Sequence, residues 1–199
     1  MGQREDAKQK SRAALIEAGL ALIAQEGLDG PSLDAICARA GYTRGAFYIH
    51  FEDRDDFLIA VMDRAGGQLL DAVIGVGLAT TVQRFVAALA SGLYPLTRRG
   101  GVRPYQLYDA CARSPAIRAR YVELIGSSIE RLTEVVAADQ AAGALADQVA
   151  AADVAALLLA LAIGAQTMLD LELPLDYAAL ARATLALLGS RREKPRRRR

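Results

Sequence analysis

Thr43, Arg44, Ala46, Tyr48 and His50 fall within eight residues of one another, in the stretch AGYTRGAFYIHF that runs from Ala40 to Phe51. A guanidinium such as that of Arg44 can pair with guanine O6 and N7 in a major groove. Thr43 can touch a phosphate or a thymine methyl, and Ala46 is small enough to allow close approach. His50 is the single histidine of the 199 residues. Metal sites built on histidine and His-based acid–base pairs are therefore poorly supported. Cys37 and Cys111 show no CxxC and no ligand spacing, and read as small core thiols in a reducing compartment. No GxGxxG, phosphate-binding loop or nucleophile elbow appears. The expectation is no enzyme, no catalytic residue, no cofactor and no metal.

Side chains that read a groove must be held by rigid elements. Residues 7–25 carry Leu15, Ala18, Gly19 and Leu22 on one helical stripe, widened by Ile16 and Ile23. Gly27 and the LDGP that follows break that helix. Ser32 is placed to cap a short helix from Leu33 to Ala40, with Leu33, Ile36 and Cys37 inward. Gly41 ends it, and Thr43 can cap the next, from Arg44 to Phe51. Phe47 and Phe51, four apart, can pack inward together and leave the polar groups toward solvent or DNA. Two short helices meeting across Gly41-Tyr42-Thr43 make a helix-turn-helix, whose second helix enters the major groove while the first braces it. EDRDD supplies acids to the start of a fourth helix, where the macrodipole favours them.

The stretch SLDAICARAGYTRGAFYIHFEDRDDFL resembles the DNA-binding signature of the TetR family of bacterial transcriptional regulators, TxxxIAxxAG followed by GxxYxHFxxK. Gly45, Tyr48, His50 and Phe51 match that pattern position for position. Arg54 stands where the family usually has lysine, Cys37 where it has alanine and Tyr42 where it has valine. The resemblance is specific over about residues 8–62 and architectural beyond. It implies phosphate contacts for Tyr48, His50 and Arg54, and a DNA-facing set of Thr43, Arg44, Gly45, Ala46, Tyr48, His50 and Arg54. Lys8, Lys10 and Arg12 would approach the DNA backbone from an N-terminal arm and first helix, adding salt-dependent affinity.

Beyond residue 62 the pattern stays helical: Thr80 to Leu96, Tyr105 to Ala112, Pro115 to about Ala142, Asp153 to about Leu171, and a last helix to Gly189. The fold class is all-α. An N-terminal three-helix helix-turn-helix domain (1–62) precedes a larger helical effector-binding and dimerisation domain (63–190) and a basic tail (191–199). That tail holds seven basic residues against Glu193, a net +6, so with a formal net charge of +1 the remainder sums to −5. DNA contact must then come from locally placed cations rather than a globally basic surface. The tail has no apolar residue to bury and is expected to be disordered. It serves either solubility or nonspecific DNA affinity.

VAALLLALAI, from Val154 to Ile163, is apolar nearly all round and needs cover on every side. Leu180, Leu185, Leu187 and Leu188 offer a partner surface. Two such helices from each of two subunits would form a four-helix dimer interface, which suits a palindromic operator. Tyr94, Tyr105, Tyr108, Cys111, Gln166 and Met168 are candidate lining residues of a pocket for a modestly polar organic effector. The expected partners are a double-stranded DNA operator, a small organic effector and a second copy of the chain. No membrane partner is expected: the longest apolar run, Val154 to Ala165, falls short of the ~18 residues a span needs. The start, MGQREDAKQKSR, lacks the apolar core of a secretory signal, so the expected location is the cytoplasm. The function expected is a DNA-binding regulator, a repressor released from a palindromic operator by its effector. The alternatives are an all-helical small-molecule-binding protein or enzyme with a structural helix-turn-helix, or a transcriptional activator.

Overall fold

The structure, a computed structural model, describes residues 2–91, 102 and 104–189. Among these every regular element is an α-helix: α1 (Gly2–Glu26), α2 (Leu33–Ala40), α3 (Arg44–Tyr48), α4 (Arg54–Val73), α5 (Leu78–Ser91), α6 (Pro104–Arg113), α7 (Pro115–Ala141), α8 (Ala151–Asp170) and α9 (Tyr177–Leu188). The all-α class read from the sequence is the one observed. The basic tail and Tyr94 lie outside the described residues.

Contacts divide the chain into two compact units, residues 1–72 with 88–126 and residues 73–87 with 127–199. α4 is continuous through position 62, where the sequence pattern suggests a boundary.

The first unit is built on α1. Leu15, Ile16, Ala18, Leu22 and Ile23 are buried on it, as their spacing predicts. They pack with Ile36 and Cys37 of α2, Phe47 and Phe51 at α3, and Phe57, Leu58 and Val61 of α4. Phe47, Phe51 and Phe57 form a three-ring cluster with centroid separations of 5.0, 5.2 and 5.1 Å. Edge and tilted contacts of this kind add roughly 0.5–1.5 kcal/mol per pair beyond area burial. Gly19 lets α4 cross close to α1, since a Cβ there would run into the Phe57 ring. The acids of EDRDD act as caps: Asp53 accepts from the Asp56 N–H at 2.9 Å, and Asp56 accepts from the Glu52 N–H at 3.0 Å. α6 and the first part of α7 belong to the same unit, where Arg113 joins Asp29 at 3.1 Å and Arg120 joins Asp63.

The second unit gathers Leu78, Val136, Leu145, Val154 and Leu158, with Val82, Leu185 and Leu188 packed against them. α5 begins at Leu78, two residues before the expected Thr80. Its first amide donates to the Asp139 carboxylate of α7 at 2.8 Å. α8 buries Val154, Ala155, Leu158 and Ala165 along one stripe, and α9 buries nothing fully. Among the described residues α8 alone is long and apolar enough to cross a membrane, which the run Val154 to Ala165 understates because the helix continues past it. Its buried residues form one stripe, and Leu157 and Leu161 face outward.

Candidate nucleic-acid interface

The turn at the centre of this surface is specified by local hydrogen bonds. Ser32 caps α2 by accepting from the Ala35 N–H at 3.1 Å. At the other end the Tyr42 N–H donates to the Cys37 carbonyl at 2.9 Å and the Gly41 N–H to Ala38 at 3.2 Å. This pair of bonds is a Schellman motif, which needs a left-handed residue at its corner. Gly41 supplies it with φ 77°. A Cβ there would meet nothing within 4 Å, so backbone conformation and not space selects glycine. Thr43 then caps α3, its hydroxyl accepting from the Ala46 N–H at 3.3 Å.

α3 ends at Tyr48, three residues before the expected Phe51. Ile49 still has helical dihedrals, and the His50 and Phe51 amides both donate to the Phe47 carbonyl. Phe47 is buried, while Thr43, Arg44 and Gly45 face solvent beside Tyr48, which is 59% exposed. The Arg44 guanidinium lies 2.6 Å from Asp34 of α2 through Nε. Both side chains are exposed, and such pairs contribute only about 0–1 kcal/mol, so the pairing leaves Arg44 available to a competing acceptor.

Arg54 is exposed and its fork holds two carbonyls of the α1–α2 connection, Pro31 at 2.9 Å and Leu28 at 3.1 Å. A lysine ammonium cannot present two parallel donors from one plane, which gives a physical reason for arginine here. This cation therefore also braces the loop that feeds α2.

The expected N-terminal arm is helical: α1 begins at Gly2, so Lys8, Lys10 and Arg12 sit on a helix. Lys8, Ser11 and Arg12 share one face, three and four residues apart. The Arg12 guanidinium lies 5.3 Å over the Phe51 ring. On the same face, Ser11 Oγ is 2.7 Å from His50 Nε2. Burial is the main cause that holds the His50 imidazole below its ordinary value, with the charges of Lys8 and then Arg12 adding to it. Burial pushes the Cys37 thiol up, Asp34 adds to this and Arg44 opposes it, so Cys37 stays a neutral thiol.

Three features of the surface escaped the sequence analysis: Ser11 as partner of His50, Asp34 as partner of Arg44, and Ile49, 66% exposed next to Tyr48. Only Ile49 carries a sequence signal, an apolar residue on the outward side of an otherwise polar face.

Of the candidate effector residues, Tyr105, Tyr108 and Cys111 stand on α6 in the first unit, and Gln166 and Met168 on α8 in the second. Tyr105 and Tyr108 are exposed, and Cys111 is half-buried against the core. Tyr108 lies 6.5 Å from the Tyr121 ring. Burial first, then Tyr108 and Cys111, push the Tyr121 phenol up to about 12. No group of three or more metal-ligating side chains occurs among the described residues.

Residues 15–61 match the family described as bacterial regulatory proteins, tetR family. Over those residues the chain is similar to the DNA-binding region of the TetR family. An uncharacterized HTH-type transcriptional regulator of Bacillus subtilis (strain 168), YwcC, is 39% identical over 51 residues, which are 26% of this chain and 23% of that one. The chain thus spans under a quarter of that relative's length. Likeness in fold runs much further. A TetR-family regulator from Cytophaga hutchinsonii superposes with a TM-score of 0.74 at 19% identity, covering 92% of this chain and 96% of that one. The SmeT–triclosan complex superposes with a TM-score of 0.65 at 22% identity, covering 91% and 92%. The TetR signature thus lies at α2 and α3, and the helices that follow share the fold of solved TetR-family regulators.

Proposed function

We propose that this chain is a TetR-family transcriptional regulator that binds a palindromic DNA operator as a homodimer and is released by a small organic effector, and so acts as a repressor in the cytoplasm. The observation that carries the proposal is the turn itself. A Schellman-ended α2 and a Thr43-capped α3 bury Phe47 and turn Arg44 and Tyr48 outward. A helix-turn-helix kept only for structure has no use for an outward Tyr48 and Ile49.

In this proposal α3 enters the major groove. Arg44 reads a base edge, and Thr43, Gly45 and Ala46 allow close approach. Tyr48 and Arg54 bond phosphates, and His50 belongs to the same surface. The domain of residues 1–62 binds DNA, and that of 63–190 binds effector and partner. Exposed leucines on α8 and α9, among them Leu157, Leu161, Leu180 and Leu187, support a dimer built on those helices. The likeness in fold to SmeT, described in complex with triclosan, supports a small organic effector. Tyr94, Tyr105, Tyr108, Cys111, Gln166 and Met168 remain the candidate lining.

Selection of bound duplexes from a random pool tests the proposal. It should return a two-fold symmetric site with half-sites about one helical turn apart. A protein that retains no duplex even at low ionic strength overturns it. Linkage requires that operator and effector weaken each other's binding by the same factor, so equal effector affinity with and without operator would contradict release.

A further inference from the structure

His50 occupies a position that, by resemblance, would reach a phosphate, yet its ring nitrogens are directed into the protein. Nε2 lies 2.7 Å from Ser11 Oγ. The Ser11 hydroxyl has one proton, and it donates that proton to the Lys8 carbonyl at 2.9 Å. Ser11 can then only accept from His50, so Nε2 carries the hydrogen. Nδ1 is left as the bare lone pair; it is buried and meets no partner among the described residues. A second proton on Nδ1 would create a buried donor with no acceptor, facing the Lys8 and Arg12 cations of α1.

We propose that His50 is a positioning residue: as a neutral imidazole it donates Nε2–H to Ser11 and so holds the end of the recognition helix and the α1 cations as one DNA-facing surface. The proposal rests on the DNA-binding reading above and assigns His50 a role inside it that differs from direct phosphate contact. The coupling is short in space. Ser11 lies between Lys8 and Arg12 on one face of α1, and Arg12 covers the Phe51 ring next to His50. Tyr48 lies two residues before His50, at the end of α3. Loss of the Ser11–His50 bond frees the two groups of phosphate ligands to move independently.

A double-mutant cycle on the full chain tests this, with operator affinity as readout. Ser11→Ala and His50→Ala should each weaken binding about ten-fold, and the double variant should be no worse than either. His50→Gln keeps a donor at the same reach and should recover most of the affinity lost in His50→Ala. The salt slope should stay that of the native protein, because no phosphate contact has been removed. Imidazole nitrogen spectra of the free protein at neutral pH should report the Nε2–H tautomer, which decides the geometry independently of DNA. Additive losses in the cycle, a Nδ1–H tautomer or an imidazolium would each overturn the proposal. Native protein that shows the Nε2–H tautomer but binds no duplex would overturn the DNA reading, and the positioning role with it.

Discussion

A neutral, inward-facing His50 has a consequence for stability that DNA binding does not enter. Its folded-state value lies below the ordinary 6.5, so the unfolded chain binds the extra proton first as pH falls. The stabilising contribution is complete above 6.5 and is lost as pH falls from there through the folded-state value. Thermal melts of the native chain and of His50→Gln should therefore diverge as pH falls below about 7, with the native chain losing more. Equal pH dependence would mean that the imidazole titrates as it does in water. The neighbouring Phe51 makes a cruder prediction. It is 1% exposed and packed by tilted and edge contacts against Phe47 and Phe57, so Phe51→Ala should lower unfolding stability by about 3–5 kcal/mol in a denaturant titration. Arg44 behaves differently. Exposed and only loosely held by Asp34, it should tolerate Arg44→Ala with unchanged melting, while operator binding falls by about 1–3 kcal/mol and specificity relaxes at one base pair.

Elements begin and end where capping allows. α2 and α3 were legible from sequence because Ser32, Gly41 and Thr43 lie next to the backbone groups they satisfy. Gly41→Ala places a Cβ in the left-handed region at φ 77°, and should cost about 1–2 kcal/mol in a melt although the site has room. α5 is the contrasting case. The carboxylate at its first amide belongs to Asp139, 61 residues away in the chain, so no inspection of the residues around Thr80 could find its start. Asp139→Ala should cost about 1 kcal/mol and fray the first turn of α5, which amide exchange at Leu78 would register. The early end of α3 at Tyr48 has the same origin. The inward pull of Phe51 and the bond from His50 to Ser11 are tertiary, and a helix period read along the chain cannot anticipate them.

Over the whole molecule the outstanding feature is apolar surface without cover. Leu157, Leu161, Leu180 and Leu187 stay exposed on the two last helices, and an area of this kind on a soluble monomer marks an interaction surface. If it is the dimer contact, Leu157→Glu combined with Leu187→Glu should convert the protein to a monomer in sedimentation. Operator affinity should fall with it, because the two half-sites are no longer linked. A dimer that survives both charges would place the interface elsewhere.

Periodicity, caps and a short signature were enough to establish the helical class, most element limits, the inward Phe pair and the likeness of residues 15–61 to the TetR family, because each of these is written in residues a few positions apart. The pairing of Ser11 with His50, of Arg54 with the Leu28 and Pro31 carbonyls, and of Asp139 with Leu78 emerged only on folding. These contacts join residues 23 to 61 positions apart, and a hydrogen bond at that separation depends on how helices pack, which no local pattern encodes.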